Sequence, residues 1–83
     1  MNIPSHNSLV RALVDAASAH HDYQKNVLGG EFDKQWPGWY GAYVLGRLGD
    51  FTSPSNLTKL LSESPGGDDW NVTTAQYVLS RLG

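Results

Sequence analysis

His20, His21, Tyr23, Asp33, Trp36, Trp39 and Tyr40 fall in one short stretch of the chain, and six of the nine aromatic residues lie between Tyr23 and Tyr43. Imidazole, carboxylate and phenol are groups that hold or move a proton, and clustered rings supply apolar walls. Together they describe a ligand pocket with a few polar anchors. A metal fits the pattern less well. On a helix His21 is rotated about 100° from His20, so the two rings diverge, and the i, i+4 histidine pair of helical zinc sites is missing. A metal would need one His plus Glu31 or Asp33, or ligands from a second chain, so no metal or other cofactor is expected. Either histidine reads more simply as partly buried, its nitrogens satisfied by Tyr23, Tyr40 or a carboxylate. Catalytic signals are weaker still. No Ser or Thr sits on a strand-turn-helix elbow, and Asp68 with Asp69 and Glu31 with Asp33 are explained as cap and loop residues. Leu28-Gly29-Gly30 is followed by no Lys-Ser or Lys-Thr pair, so Gly29 reads as a helix cap and Gly30 as a hinge rather than as a phosphate loop.

Four helices are required to position these residues. Leu9, Val10, Leu13, Val14, Ala16, Ala17, Val27 and Leu28 recur at steps of three and four and predict a first helix over about Ser8 to Leu28. It would be roughly 30 Å long, with Ser5 or Ser8 as its N-cap. His20, seven residues from both Leu13 and Val27, falls on its apolar stripe. Pro37 belongs in the first turn of a second helix running to Leu48 and biases Trp36 away from helical dihedrals. The buried stripe of that helix is expected to hold Tyr40, Tyr43, Val44, Leu48 and the stem of Arg47, with Gly41 and Gly46 allowing close approach. Ser53-Pro54 opens a third helix with Leu57, Leu60 and Leu61 on its face, ended by Pro65-Gly66-Gly67. Asp68 or Asp69 caps a fourth, which packs through Trp70, Tyr77, Val78 and Leu82. No segment alternates as a strand does. The expected fold is an all-α four-helix bundle in a single domain over residues 1–83.

The helices also pair. Tyr43-Val44-Leu45-Gly46-Arg47-Leu48-Gly49 recurs as Tyr77-Val78-Leu79-Ser80-Arg81-Leu82-Gly83, six identities in seven, with Trp36 and Trp70 at the same spacing. Ser5 to Leu13 aligns more weakly with Ser53 to Leu61. An internal duplication of a helical hairpin follows, residues 1–49 and 50–83. The first alignment has an offset of 34 and the second of 48, so the N-terminal pair holds 14 extra residues, roughly between Ala19 and Asp33. The offset of 34 equals the tetratricopeptide period, but the landmarks of that repeat are out of register. The insertion carries two of the three histidines. Because the second pair lacks the His, Gly-Gly and Trp-Tyr elements, a site is expected in the first pair alone.

Composition excludes several classes. There are no cysteines, so no disulfide, thiol catalyst or cysteine-held metal, and a reducing cytoplasm suits the chain. A net charge of −2 gives little means of neutralising phosphates, which argues against nucleic acid. No apolar run is long enough for a membrane span, and Met1 to His6 lacks the features of a signal peptide. Asn56-Leu57-Thr58 and Asn71-Val72-Thr73 are therefore read as chance glycosylation patterns.

At His21, Tyr23, Leu28-Gly29-Gly30, Asp33, Trp36-Pro37 and Trp39-Tyr40 the chain resembles small bacterial helical proteins of uncharacterised function. The resemblance covers about half the chain, carries no known activity, and implies a shared fold and a shared pocket around these residues. Three readings of function remain. The first is an interaction module, a homodimer or a binder of another protein, because the long first helix leaves part of its stripe without a partner inside the chain. The second is a small-ligand binder using His20, His21, Tyr23, Asp33, Trp36, Trp39 and Tyr40. The third is a weak enzyme on the same pocket, which the missing acid-base pair disfavours.

Overall fold

The computed structural model describes residues 3–82 and holds four helices, α1 (His6–Asn26), α2 (Trp36–Leu48), α3 (Pro54–Glu63) and α4 (Trp70–Leu82). Met1, Asn2 and Gly83 lie outside the described residues, so the start of the leader reading and the last position of the repeat are not placed. Consecutive helices pack side by side and α4 closes back onto α1, leaving α1 and α3 on one diagonal of a square. The all-α bundle expected from periodicity is the fold. No helix is long and apolar enough to cross a membrane among the described residues.

Local chemistry accounts for each start. Ser5 Oγ accepts the Ser8 amide at 3.2 Å and Ser53 Oγ accepts the Asn56 amide at 3.1 Å, so both odd-numbered helices begin with a serine holding a free N–H. Ser8 thus lies inside α1 rather than capping it. Pro37 and Pro54 occupy first turns, where a missing N–H costs nothing. Trp36 nevertheless enters the helix. Its amide donates to the Asp33 carbonyl at 3.3 Å, a tight turn that carries the chain into helical path ahead of Pro37. α4 opens as the Asp69 carbonyl accepts the Thr73 amide at 2.9 Å. At the far end of α1 the helix stops at Asn26, two residues short of Leu28. Gly29 and Gly30 there take φ of 64° and 86°, and the Gly30 amide closes on the Gln24 carbonyl at 2.8 Å.

The core follows the stripes with some exceptions. Leu9, Ala12, Leu13 and Ala16 of α1 meet Val44 and Leu45 of α2, Leu57, Leu60 and Leu61 of α3, and Ala75 and Val78 of α4. Positions aligned in the two pairs have like environments: Leu9 and Leu57 are fully buried, as are Val44 and Val78. Phe51, in the α2–α3 turn, is also buried in this core, a role the helical pattern does not signal. Val14 and Val27 are exposed, because the four-helix square covers only the arc of α1 that faces α2 and α4. Arg47 is exposed too. Rather than lending its stem to the core, it reaches Asp15 at 2.6 Å, and a half-exposed pair of this kind contributes little.

The two helical glycines differ. A Cβ at Gly41 would lie 3.3 Å from Thr58 Oγ1 and 3.8 Å from Leu57 Cγ, so this glycine sets the approach of α3 to α2. A Cβ at Gly46 would meet nothing within 4 Å, so Gly46 permits no approach and only weakens the helix. Gly46→Ala is therefore expected to stabilise by about 1 kcal/mol, raising the midpoint of a thermal melt by about 4–8 °C. Gly41→Ala should give less or nothing, since Thr58 must yield.

Candidate functional site

At one end of the bundle, where α1 and α3 finish and α2 and α4 begin, a cleft of about 360 Å³ opens between the two pairs. Its polar base is His20. This ring sits on the buried face of α1, four residues beyond Ala16, and is 6% exposed. His20 Nε2 lies 2.9 Å from Asp33 Oδ2. A carboxylate only accepts, so Nε2 carries the proton and donates. Asp33 reaches this position because its other oxygen, Oδ1, accepts the Gln35 amide at 2.9 Å, which folds the loop into the start of α2. The His20 hydrogen bond, with the Gln35 amide behind it, holds the Asp33 carboxyl below its ordinary 3.8 against an opposing effect of desolvation.

Rings surround the imidazole. Trp39 stands edge-on at 5.0 Å between centroids, Tyr40 lies at 5.2 Å and Tyr23 at 6.0 Å. Trp39 stacks on Tyr43 at 5.8 Å and 13°. Burial pushes the Tyr40 phenol above 10.0. The cluster has one face toward the cleft and another that is packing. His20, Asp33, Trp36 and Tyr40 line the opening, whereas Tyr23 and Trp39 back the imidazole from outside the cleft lining. His21 belongs to neither. It is exposed, as its rotation from His20 requires.

The other wall comes from the second pair. Leu61, Ser64, Pro65 and Gly66 close the cleft from the end of α3, and Trp70 and Thr74 close it from α4. Ser64 Oγ donates to Thr74 Oγ1 at 3.0 Å, which satisfies the buried threonine. Trp70 meets Tyr40 at 6.1 Å and Tyr40 meets Trp36 at 5.3 Å, both near perpendicular. The cleft lining thus extends beyond the first pair. The closure of α2 on α3 and of α4 on α1 brings the two pairs together at this end. One signal did point to Trp70, its alignment with Trp36 in the repeat. Gln24 and Phe32 complete the lining from the insertion and were not singled out by residue type.

Among the described residues no three His, Cys, Asp or Glu side chains converge as a metal site would require. The arrangement can instead enclose a small molecule between aromatic walls, with an imidazole–carboxylate pair and two hydroxyls as anchors. No protein family, curated protein or solved structure matches the chain.

Proposed function

We propose that the protein is a small-ligand binder whose site is the cleft between the two helical pairs. The observation that carries this reading is the cleft itself. A concavity of about 360 Å³ with aromatic walls and a few convergent polar groups has the size and lining of small-molecule sites. We read the two pairs as copies of one hairpin, so the site lies across the seam of the duplication. Of the signature that resembles small bacterial helical proteins, Asp33, Trp36 and Tyr40 line the cleft, and proteins sharing it are proposed to share the pocket.

A fragment screen by amide and indole NMR tests the reading. Binding fragments are expected to shift the indole signals of Trp36 and Trp70, and Trp70→Leu should abolish those shifts while helicity stays intact by circular dichroism. A screen in which no fragment moves either indole, or in which every hit maps to the opposite end of the bundle, would sink it.

Association with a second copy or another protein is the second reading. It rests on Val27 and Phe32, which are 66% and 73% exposed. Of the first helix's apolar stripe, Leu9, Leu13 and Ala16 are covered within the chain, and Val14 and Val27 are exposed. A strictly monomeric mass at micromolar concentration would remove self-association. A nucleophilic catalyst on the same cleft would need a hydroxyl activated by His20, and the Ser64 and Thr74 hydroxyls are hydrogen-bonded to each other while His20 is bonded to Asp33.

A further inference from the structure

We propose that the ligand of this cleft is a small organic cation, a quaternary or methylated ammonium compound. This rests on the cleft reading above and adds the sign and softness of the charge.

Three aromatic rings shape the opening. Trp36 and Tyr40 meet at 78° and Tyr40 and Trp70 at 67°, with centroids 5.3 Å and 6.1 Å apart, so three rings form two successive corners around one opening. An aromatic face carries the negative part of the ring quadrupole, and rings set at angles offer faces to a guest from more than one side. A diffuse positive charge is what such a surface attracts. A primary ammonium gains less from aromatic faces than a methylated one, because it is a compact, strongly hydrated charge with three N–H groups. A methylated ammonium has few or none and presents apolar methyls to the rings.

The charge lining the cleft is acidic. No Lys or Arg lines it, and Asp33 is its one carboxylate. Asp33 brings a carboxylate to the cleft, where it accepts the hydrogen bond of His20. The loops at this end, residues 27–35 and 64–69, hold Glu31, Asp33, Asp68 and Asp69 against Lys34, while Lys25 in the last turn of α1 and Glu63 at the end of α3 offset each other. Arg47 and Arg81 sit in the last turns of α2 and α4, at the other end. The helix dipoles do not reverse this sign. Two helices begin and two finish here, so their end charges offset and the carboxylates decide. An anion would find no lysine or arginine in the lining, and a neutral guest would gain nothing from the Asp33 charge.

The test uses the full chain at neutral pH and tryptophan fluorescence. Choline is titrated beside its neutral isostere, in which a quaternary carbon replaces the nitrogen. Choline is expected to give a saturable change, with the isostere weaker by at least about tenfold. Asp33→Asn should weaken choline and leave the isostere unchanged, because the amide oxygen can still accept the His20 N–H while the charge is gone, at the expense of the bond from the Gln35 amide. Should that variant fold poorly by circular dichroism, Trp70→Leu serves instead, with choline binding expected to fall by about tenfold or more. Equal affinity for choline and its isostere would overturn the inference, as would a preference for the isostere. A trimethyl-lysine peptide that binds where choline does not would keep the cation class but overturn a free small molecule as its source. If choline gives no response while fragments of other chemistry still move the Trp36 and Trp70 indoles, the cation inference fails and the cleft reading stands. If fragments fail as well, both fall together.

Discussion

Leu57→Ala is expected to cost about 2–5 kcal/mol and to leave a domain that melts tens of degrees lower or is largely unfolded at room temperature. Leu57 is fully buried and its Cγ lies 3.8 Å from where a Cβ at Gly41 would stand, so it fills the closest approach between α2 and α3. Truncation removes its transfer free energy and leaves a cavity that rigid helices cannot collapse. A chain of this length has a total stability of only about 4–12 kcal/mol, and each kcal/mol shifts the melting midpoint by about 4–8 °C. Leu57→Met, which keeps the volume, should cost under about 1.5 kcal/mol. Denaturant titrations followed by circular dichroism separate the two. A Leu57→Ala loss no greater than that of an exposed Ser62→Ala control would mean that the α2–α3 contact does not carry the fold.

His20→Ala should have the second largest effect, because it acts on packing and on polarity together. The imidazole touches Tyr23, Trp39 and Tyr40 and donates to Asp33. Its removal opens a space among three rings and takes away the hydrogen bond that holds Asp33 over the cleft. A loss of about 2–3 kcal/mol is expected, together with loss of any ligand response. The acid behaviour of Asp33 isolates the polar part. Its carboxyl is held below 3.8 in the folded chain. The associated stability is therefore fully present above that value and is lost as the pH falls through the lower folded value. The stability gap between the wild type and Asp33→Asn should stay level from neutral pH down to about 5, then narrow below about 4. A gap that stays constant down to pH 2 would show that the charge of Asp33 contributes nothing to the fold.

Much of the fold was legible because its signals are local. Ser5 and Ser53, Pro37 and Pro54, the leucine steps of α3 and the glycine pair after α1 act on neighbours within a turn, and each helix starts or stops within about a turn of those residues. The misses have a different character. Arg47 was given to the core and Val14 to the stripe, because periodicity identifies a face but not how wide an arc neighbouring helices will cover. Phe51 was passed over because a turn residue has no periodicity to report. Gly46 and Gly41 look alike in sequence, and only the nearness of Thr58 distinguishes them.

The candidate site divides along the same line. Helical spacing alone placed His20 on the apolar side of α1 and turned His21 to solvent, since a rotation of about 100° per residue is a property of the backbone. It also made Asp33, Trp36 and Tyr40 neighbours near the start of α2. Tertiary structure alone decided that Asp33, thirteen residues away, would be the acceptor for His20. It also decided that Trp70, Thr74 and Ser64 of the second pair would form the opposite wall. Helix formation depends on hydrogen bonds and caps four residues apart or less, which a sequence displays directly. A cleft depends on the order and closeness in which four finished helices pack, and in this chain that order was set by Gly41, the buried leucines and the closure of α4 onto α1.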